Sequence, residues 1–455
     1  MTSLWDKGEP FSETVRRFTV GRDPELDRIL LPYDALASLA HGIMLAEIGI
    51  LEREELPGLR TELRAVAEEA REGTFEIPPA DEDGHTALEN RLTERLGETG
   101  KRIHTGRSRN DQVIAALRLY GREAVLRLSG EVDAVVSSLL DLADAHREVT
   151  VPGYTHTRQG MPSTLGFLFA AHAEGLLDGL SWLARAFRHL DRSPLGSASG
   201  YGVALPLDRE RVADLLAFSE VQVNTLAVQN DRGKTEMLVL SAVLGPVVDL
   251  SRLAGDLIWF SSDELGFLKL GAEVTTGSSI MPQKRNPDVL ELVRARANRL
   301  RGLPGELAGY FAPLPSGYHR DLQLTKGPFL EGMETAVSLF RAVRVVLESL
   351  EVDRDRADEL LTPGIDATDF VYARVREGRP FRDAYRRAAL DPRSAAADTP
   401  GSGWRDRTHL GAPGALELAP YRRRLSEART HREAREERIA EAWVLFHEGS
   451  PSDSA

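Results

Sequence analysis

The stretch Asn110–His146, NDQVIAALRLYGREAVLRLSGEVDAVVSSLLDLADAH, decides the fold. Its apolar residues Val113, Leu117, Tyr120, Ala124, Leu128, Val132, Val135, Leu139 and Leu142 recur at steps of three or four, the period of one helix face. At a rise of about 1.5 Å per residue such a helix reaches roughly 50 Å, too long for a small domain and suited to the spine of a bundle. Residues 164–190 and 236–260 are apolar on most faces, which predicts helices enclosed by other helices. Residues 288–303 and 328–350 complete the set. Gly, Pro and Ser cluster between these segments at 152–163, 193–206, 271–287 and 312–318, and mark loops. Strand-like alternation is scarce. The expected fold is therefore mainly α with at most a few short β pairs. Residues 1–109 are expected to form an N-terminal domain, 110–360 a central helical bundle and 361–455 a small C-terminal domain. Within the last, 388–414 reads as a loop and the closing Gly-Ser-Pro-Ser-Asp-Ser-Ala as a frayed tail.

Composition narrows the function classes. The chain has 455 residues, 42% of them hydrophobic and 28% charged, the profile of a globular protein with more core than one small domain needs. The absence of cysteine excludes disulfides, thiolate metal sites and a cysteine nucleophile. A net charge of −13 argues against nucleic acid or an acidic membrane surface as partner, because both require a positive field. The first residues lack the basic start and apolar run of a secretory signal. The longest apolar run, Met237–Val248, is too short to span a bilayer and contains Pro246, so it reads as bundle core in a cytoplasmic protein.

Two phosphate-binding patterns fail. Gly233-Lys234-Thr235 looks like the end of a P-loop, but Val228 stands where its first glycine belongs. The glycines of 196–202 follow no expected strand and read as a tight connection between helices. The histidines form no His-Glu-x-x-His frame, so metalloprotease chemistry has no support.

The most informative segment is Thr276-Gly-Ser-Ser-Ile-Met-Pro-Gln-Lys-Arg-Asn-Pro-Asp288, a polar, basic loop before a helix. Asn286 or Asp288 would serve as a cap for that helix, but capping does not account for two serines, a lysine and an arginine ahead of it. A glycine-flanked loop can move over a substrate. Its amides, Lys284 and Asn286 suit a carboxylate whose charge grows in a transition state, and a serine beside such cations suits a base. In Thr105-Gly-Arg-Ser-Arg-Asn-Asp-Gln112, Arg109 can grip a carboxylate bidentately and Asn110 can both donate and accept; the plain alternative is a helix cap with solvated charges.

The 276–288 loop resembles the signature of the fumarase/aspartase superfamily, whose members eliminate fumarate from succinyl-type substrates. By that resemblance Ser278 abstracts the proton, while Lys284 and Asn286 bind substrate. The 105–112 string, with Ser108, Arg109 and Asn110, resembles the argininosuccinate lyase form of the first shared region. Gly153-Tyr-Thr-His156 is similar to the second region: there His156 works on the leaving group and Thr155 touches substrate, against the plain reading of a structural histidine. Glu291 matches the glutamate that pairs with this histidine; otherwise it is a solvent-facing helix charge. Asp83-Gly-His-Thr-Ala-Leu-Glu89 resembles the early histidine motif, with His85 and Thr86 as substrate contacts, and alone would read only as a capping box. Leu314–Lys326 is similar to the stretch that separates argininosuccinate lyases from fumarases and adenylosuccinate lyases, with Tyr318, Gln323 and Lys326 at its arginine-side and carboxylate-binding positions.

The resemblance runs from Leu4-Trp5-Asp6 through Asp27-Arg28 and Tyr33-Asp34 to Asp366-Ala-Thr-Asp369 and Pro380-Phe381-Arg382. Two departures stand out. Thr157-Arg158 replaces a usual Leu-Gln, and Asp23 falls near the place of an N-terminal serine expected to touch substrate. The resemblance implies a three-domain lyase whose long helices form the core of a homotetramer with shared active sites. It implies cleavage of argininosuccinate to arginine and fumarate in arginine biosynthesis, with no metal or other cofactor. Another fumarate-releasing lyase, or a catalytically silent structural relative, is the alternative.

Overall fold

The computed structural model describes residues 12–78, 80–397 and 403–447. Leu4-Trp5-Asp6, the tail from Gly449 and residues 398–402 of the expected 388–414 loop lie outside them. The spine helix runs Arg109–Ala145, about 55 Å at the usual rise. Ser108 begins it: its hydroxyl accepts the Asn110 N–H, and Asp111 reaches back to the Ser108 N–H at 2.9 Å, a capping box. The expected stripe is buried from Val113 to Leu139, and only Leu142 is half-buried. Truncating Leu128 or Leu139, both 0% exposed, to Ala would cost about 2–5 kcal/mol.

The first third of the spine is buried on every side, because two cores meet there. Leu117 and Tyr120 face the bundle core, while Ala115 and Leu119 face a second core built from residues 31–103, 195–218 and 442–446. Two arginines on the spine are enclosed: Arg118 is held by Asp231 at 3.2 Å, Arg122 by Asp191 at 2.9 Å. These pairs tie the 191–231 segment to the spine, since a buried charge needs its partner.

Around the spine pack the helices Leu165–Leu190, Lys326–Glu348 and Asp23–Glu47. Lys234–Phe260 packs on Leu165–Leu190 and Asp288–Leu300. Four of these helices match the expected segments closely. The Asp23–Glu47 helix was not anticipated, because Pro32 interrupts its pattern. It and Lys234–Phe260 are long and apolar enough to cross a membrane by composition, but 83% of the apolar window of the first is buried inside the fold, against 44% for the second. The first is a core helix; the second has many of its apolar residues only half-buried.

Three segments expected as loops contain regular structure, one of them 271–287 with its short antiparallel pair Thr276–Gly277 and Arg285–Asn286. Residues 152–163 belong to an antiparallel hairpin, Thr150–Thr155 with Arg158–Thr164, whose alternation is masked by Pro152, Gly153 and Pro162 and by a register shift at Gly153/Tyr154. Within 388–414, Pro392–Ala397 is helical and Gly403–Asp406 a 3-10 turn. Phe370, Val371, Ala384, Ala388 and Ala395 form a small separate core. The last helix, Ala419–Trp443, leaves it and lies back along the spine, with Arg429 bonded to Asp133 at 2.6 Å and 3.0 Å. We therefore propose domain limits at 109 and 360 with 419–446 returned to the bundle.

Candidate active site

One cavity of about 220 Å³ gathers residues from five separate parts of the chain. Among the residues lining it are His85, Arg109, Asn110, Tyr318, Gln323 and Lys326, together with Asp23, Glu82, Asp83, Arg232 and Arg320. Local sequence explains how each is set. Asp83 caps the Gly84–Leu96 helix, its Oδ1 accepting the Thr86 N–H at 2.8 Å and the Thr86 hydroxyl at 2.7 Å. Gly84 can approach Asp27 because it lacks a side chain: a Cβ there would lie 2.9 Å from the Asp27 Cβ. Its N–H donates to Asp27 Oδ2 at 3.0 Å.

Asp27 Oδ1 accepts from the Lys326 ammonium at 2.6 Å, and Asp23 Oδ1 lies 2.9 Å from the same nitrogen. Burial opposes the Lys326 charge, but Asp27 and Asp23 outweigh it and raise its pKa. Asp23 is pushed up by burial and by Asp27, against the pull of Lys326. Arg109 donates to Asp83 Oδ2 at 3.1 Å. His85 Nδ1 is 2.7 Å from Asp34, which also accepts both bonds of the Gln112 amide nitrogen. Burial works against protonation of His85; Asp34, Asp27 and Asp83 prevail and raise its pKa. With Nδ1 turned to Asp34, Nε2 is buried and unpartnered, the atom left for a ligand. Gln323 is engaged within the chain, donating to Thr19 O at 2.8 Å and accepting from Arg320 at 3.1 Å.

Thr86 and Ser108 neighbour the cavity-lining His85 and Arg109 without lining the cavity themselves, and the other expected residues lie in two further places. Ser278, Lys284 and Asn286 share one loop, closed at its base by the pairs Thr276↔Asn286 and Gly277↔Arg285. The Ser278 oxygen accepts the Met281 N–H at 3.2 Å, and Asn286 donates to Gly277 O at 3.4 Å. The loop tip is uncovered, with Ile280 82% exposed. Capping by Asn286 or Asp288 is not seen, since the Asp288–Leu300 helix starts after Pro287 without a side-chain cap. Glu291 sits exposed in its first turn.

His156 and Thr157 form the two-residue hairpin turn with φ of 55° and 57°. Both lie in the left-handed region that side chains avoid, Thr157 most of all because it is β-branched, and such strain concentrates at functional turns. Thr155 and His156 are exposed. Among the described residues no hydrogen bond or ion pair links His156 to Glu291, Ser278 or Lys284, and none of these lines the cavity. One chain thus brings the cavity group together and leaves the loop group and the hairpin turn apart from it.

Arg232 escaped the sequence analysis. It sits between the Thr225–Asp231 and Lys234–Phe260 helices, 4% exposed, in the very stretch dismissed as a failed P-loop. Glu82 and Arg320 were also missed; a positive φ of 67° at Glu82 is a conformational signal that no residue pattern carries.

Comparison with known proteins agrees with this architecture. A family model described as Lyase matches residues 25–302. The argininosuccinate lyase of Sorangium cellulosum (strain So ce56) is 45% identical over 423 residues, 93% of this chain and 98% of that protein. A crystal structure of EDDS lyase in complex with formate superposes with a TM-score of 0.76 at 22% identity, covering 98% of this chain and 95% of its own. A class II fumarase from Schistosoma mansoni gives a TM-score of 0.71 at 14% identity, covering 85% of this chain and 93% of its own, so the fold is shared well beyond sequence likeness.

Proposed function

This chain belongs to the argininosuccinate lyases, carbon–nitrogen lyases of the fumarase/aspartase superfamily, and from that premise we propose how its residues divide the reaction. The substrate is argininosuccinate, and the products are arginine and fumarate of arginine biosynthesis. Ser278 removes the proton beside the succinyl carboxylate. The doubly charged aci-carboxylate formed is met by Lys284, Asn286 and the loop amides, because stabilising that charge is the main demand of the step. The C–N bond then breaks, and His156, supported by Glu291, delivers a proton to the departing guanidino nitrogen. Thr155, Ser108, Arg109, Asn110, His85, Thr86, Tyr318, Gln323 and Lys326 hold the substrate. The Ser108 hydroxyl already caps the spine helix and the Thr86 hydroxyl already donates to the cap residue Asp83, so they act by fixing the walls. Lys326 keeps one of three N–H donors beyond its two carboxylates.

The observation that carries this reading is the mixed-sign cavity, which suits a zwitterionic amino-acid end, in one chain with an uncovered loop of serine, lysine and amides. The single chain leaves Ser278, His156 and the cavity apart, and many apolar residues of the Lys234–Phe260 helix are only half-buried. Both support a homotetramer whose sites take residues from several subunits, and we place the enzyme in the cytoplasm as an ordinary biosynthetic lyase. Incubation with argininosuccinate should release arginine and raise fumarate absorbance, whereas adenylosuccinate, malate and aspartate should not; preference for one of those three would overturn the assignment. Light scattering with parallel turnover tests the assembly, and full activity of a clean monomer would refute it.

A further inference from the structure

The cavity is lined by four permanent cations, and three of them are already engaged. Lys326 lies between Asp23 and Asp27, and Arg109 is bound to Asp83. Arg320 is exposed and donates to Gln323 and Thr19 O. Arg232 differs from all three. It is 4% exposed, its Nε is buried without a partner, and its guanidinium forms no hydrogen bond or ion pair among the described residues. Its one organised contact is the Tyr318 ring, 5.5 Å from the guanidinium carbon. A desolvated, unpaired guanidinium is costly, and a carboxylate that takes both prongs of its fork removes the cost.

The backbone is arranged to hold Arg232 there. The helix ending at Asp231 stops, Arg232 adopts an extended conformation, and Gly233 at φ 83° starts the next helix. A Cβ on Gly233 would come within 3.1 Å of the Phe311 and Thr325 side chains, and its φ is one that side chains rarely adopt, so this break favours glycine. Arg232 also lines an adjoining cavity of about 230 Å³ beneath Leu314–Gly317, which places it at the junction of the two spaces.

We propose that Arg232 binds the α-carboxylate at the arginine end of the substrate. This rests on the functional reading above, which gives the succinyl carboxylates to the 278–286 loop and leaves the cavity to the amino-acid end. The same cavity offers Asp23 and Glu82 for an α-ammonium, so one zwitterion satisfies both signs. Lys326, neutralised by two carboxylates, contributes a hydrogen-bond donor; Arg232, which feels Asp23 and Glu236 at a distance but is bonded to neither, contributes a guanidinium whose Nε is still without a partner.

The test compares arginine with argininamide, which lacks the carboxylate charge, as inhibitors of the wild-type enzyme, Arg232→Gln and Arg232→Lys. Wild type should prefer arginine by about 10- to 100-fold, the scale of a charge-assisted bidentate bond. Arg232→Gln should raise the arginine Ki by about that factor and abolish the preference, with KM raised, kcat within a few-fold and the fumarate Ki unchanged, because the interaction is remote from the reacting carbon. Arg232→Lys should recover part of the preference. Equal weakening of arginine and argininamide, or an unchanged arginine Ki in a folded Arg232→Gln protein, would overturn the proposal. If that variant does not fold, the wild-type comparison still decides: no preference for arginine over argininamide sinks the idea. Thermal-shift titration with the two compounds requires no turnover, so failure to cleave argininosuccinate would discredit the functional reading while leaving the role of Arg232 measurable.

Discussion

In the cavity around Lys326 every charge but that of Arg232 meets a partner within the chain; on the 278–286 loop and at the His156 turn the proposed catalytic side chains do not. Lys326 holds Asp23 and Asp27, Arg109 holds Asp83, and His85 holds Asp34. Lys284, His156 and Glu291 have no side-chain hydrogen bond or ion pair among the described residues. A residue that is buried and paired serves stability and binding together, so its loss unsettles the fold. An exposed and unpaired residue is free of that duty, so its chemistry can be removed while the fold stays intact.

The sharpest way to break this contrast is Ser278→Ala. Turnover should fall about 10³- to 10⁴-fold, the upper range for a lost general base, while the thermal midpoint stays at the wild-type value. Normal turnover would remove the base assignment, and a large fall in melting temperature would blur the contrast. Next comes Lys326→Met, which leaves Asp23 and Asp27 facing each other with no cation between them. Urea denaturation should show a loss of about 3–5 kcal/mol, as for other broken buried pairs, and a change below about 1 kcal/mol would mean the triad is not structural.

A smaller effect concerns pH. His85 has a folded pKa above its ordinary value, so its pairing with Asp34 stabilises the fold fully below the unfolded value of about 6.5. That contribution disappears as pH rises through the folded pKa. Wild-type melting temperature should decline over that window relative to His85→Gln, and parallel curves for the two proteins would contradict it. The smallest effect is expected for Ile280→Ser at the loop tip: stability within about 0.5 kcal/mol of wild type, since the side chain is 82% exposed. A rise in KM with unchanged melting would mean that Ile280 is buried when the loop closes.

Much of this organisation was legible from residue spacing. The spine stripe from Val113 to Leu139 is buried as its period requires, and the 276–288 loop stands immediately before a helix as its polar residues imply. The hairpin at 150–164 was not legible, because prolines and glycines interrupt the alternation that betrays strands. The 105–112 and 83–89 strings were readable as both caps and substrate contacts, and in the fold the Ser108 hydroxyl accepts from Asn110 as a cap while the Thr86 hydroxyl donates to the cap residue Asp83.

The amino-acid order alone determined a helical spine, its capped start and the chemical types gathered in each motif, because helix periodicity and capping act between residues only a few positions apart. Tertiary structure alone decided which charges are consumed in pairs. Lys326 meets Asp27 across 299 residues, and Arg232 is left unpaired at a break between two helices. No local spacing encodes either fact, since electrostatic partnership depends on distance in space and on exclusion of water rather than on separation along the chain.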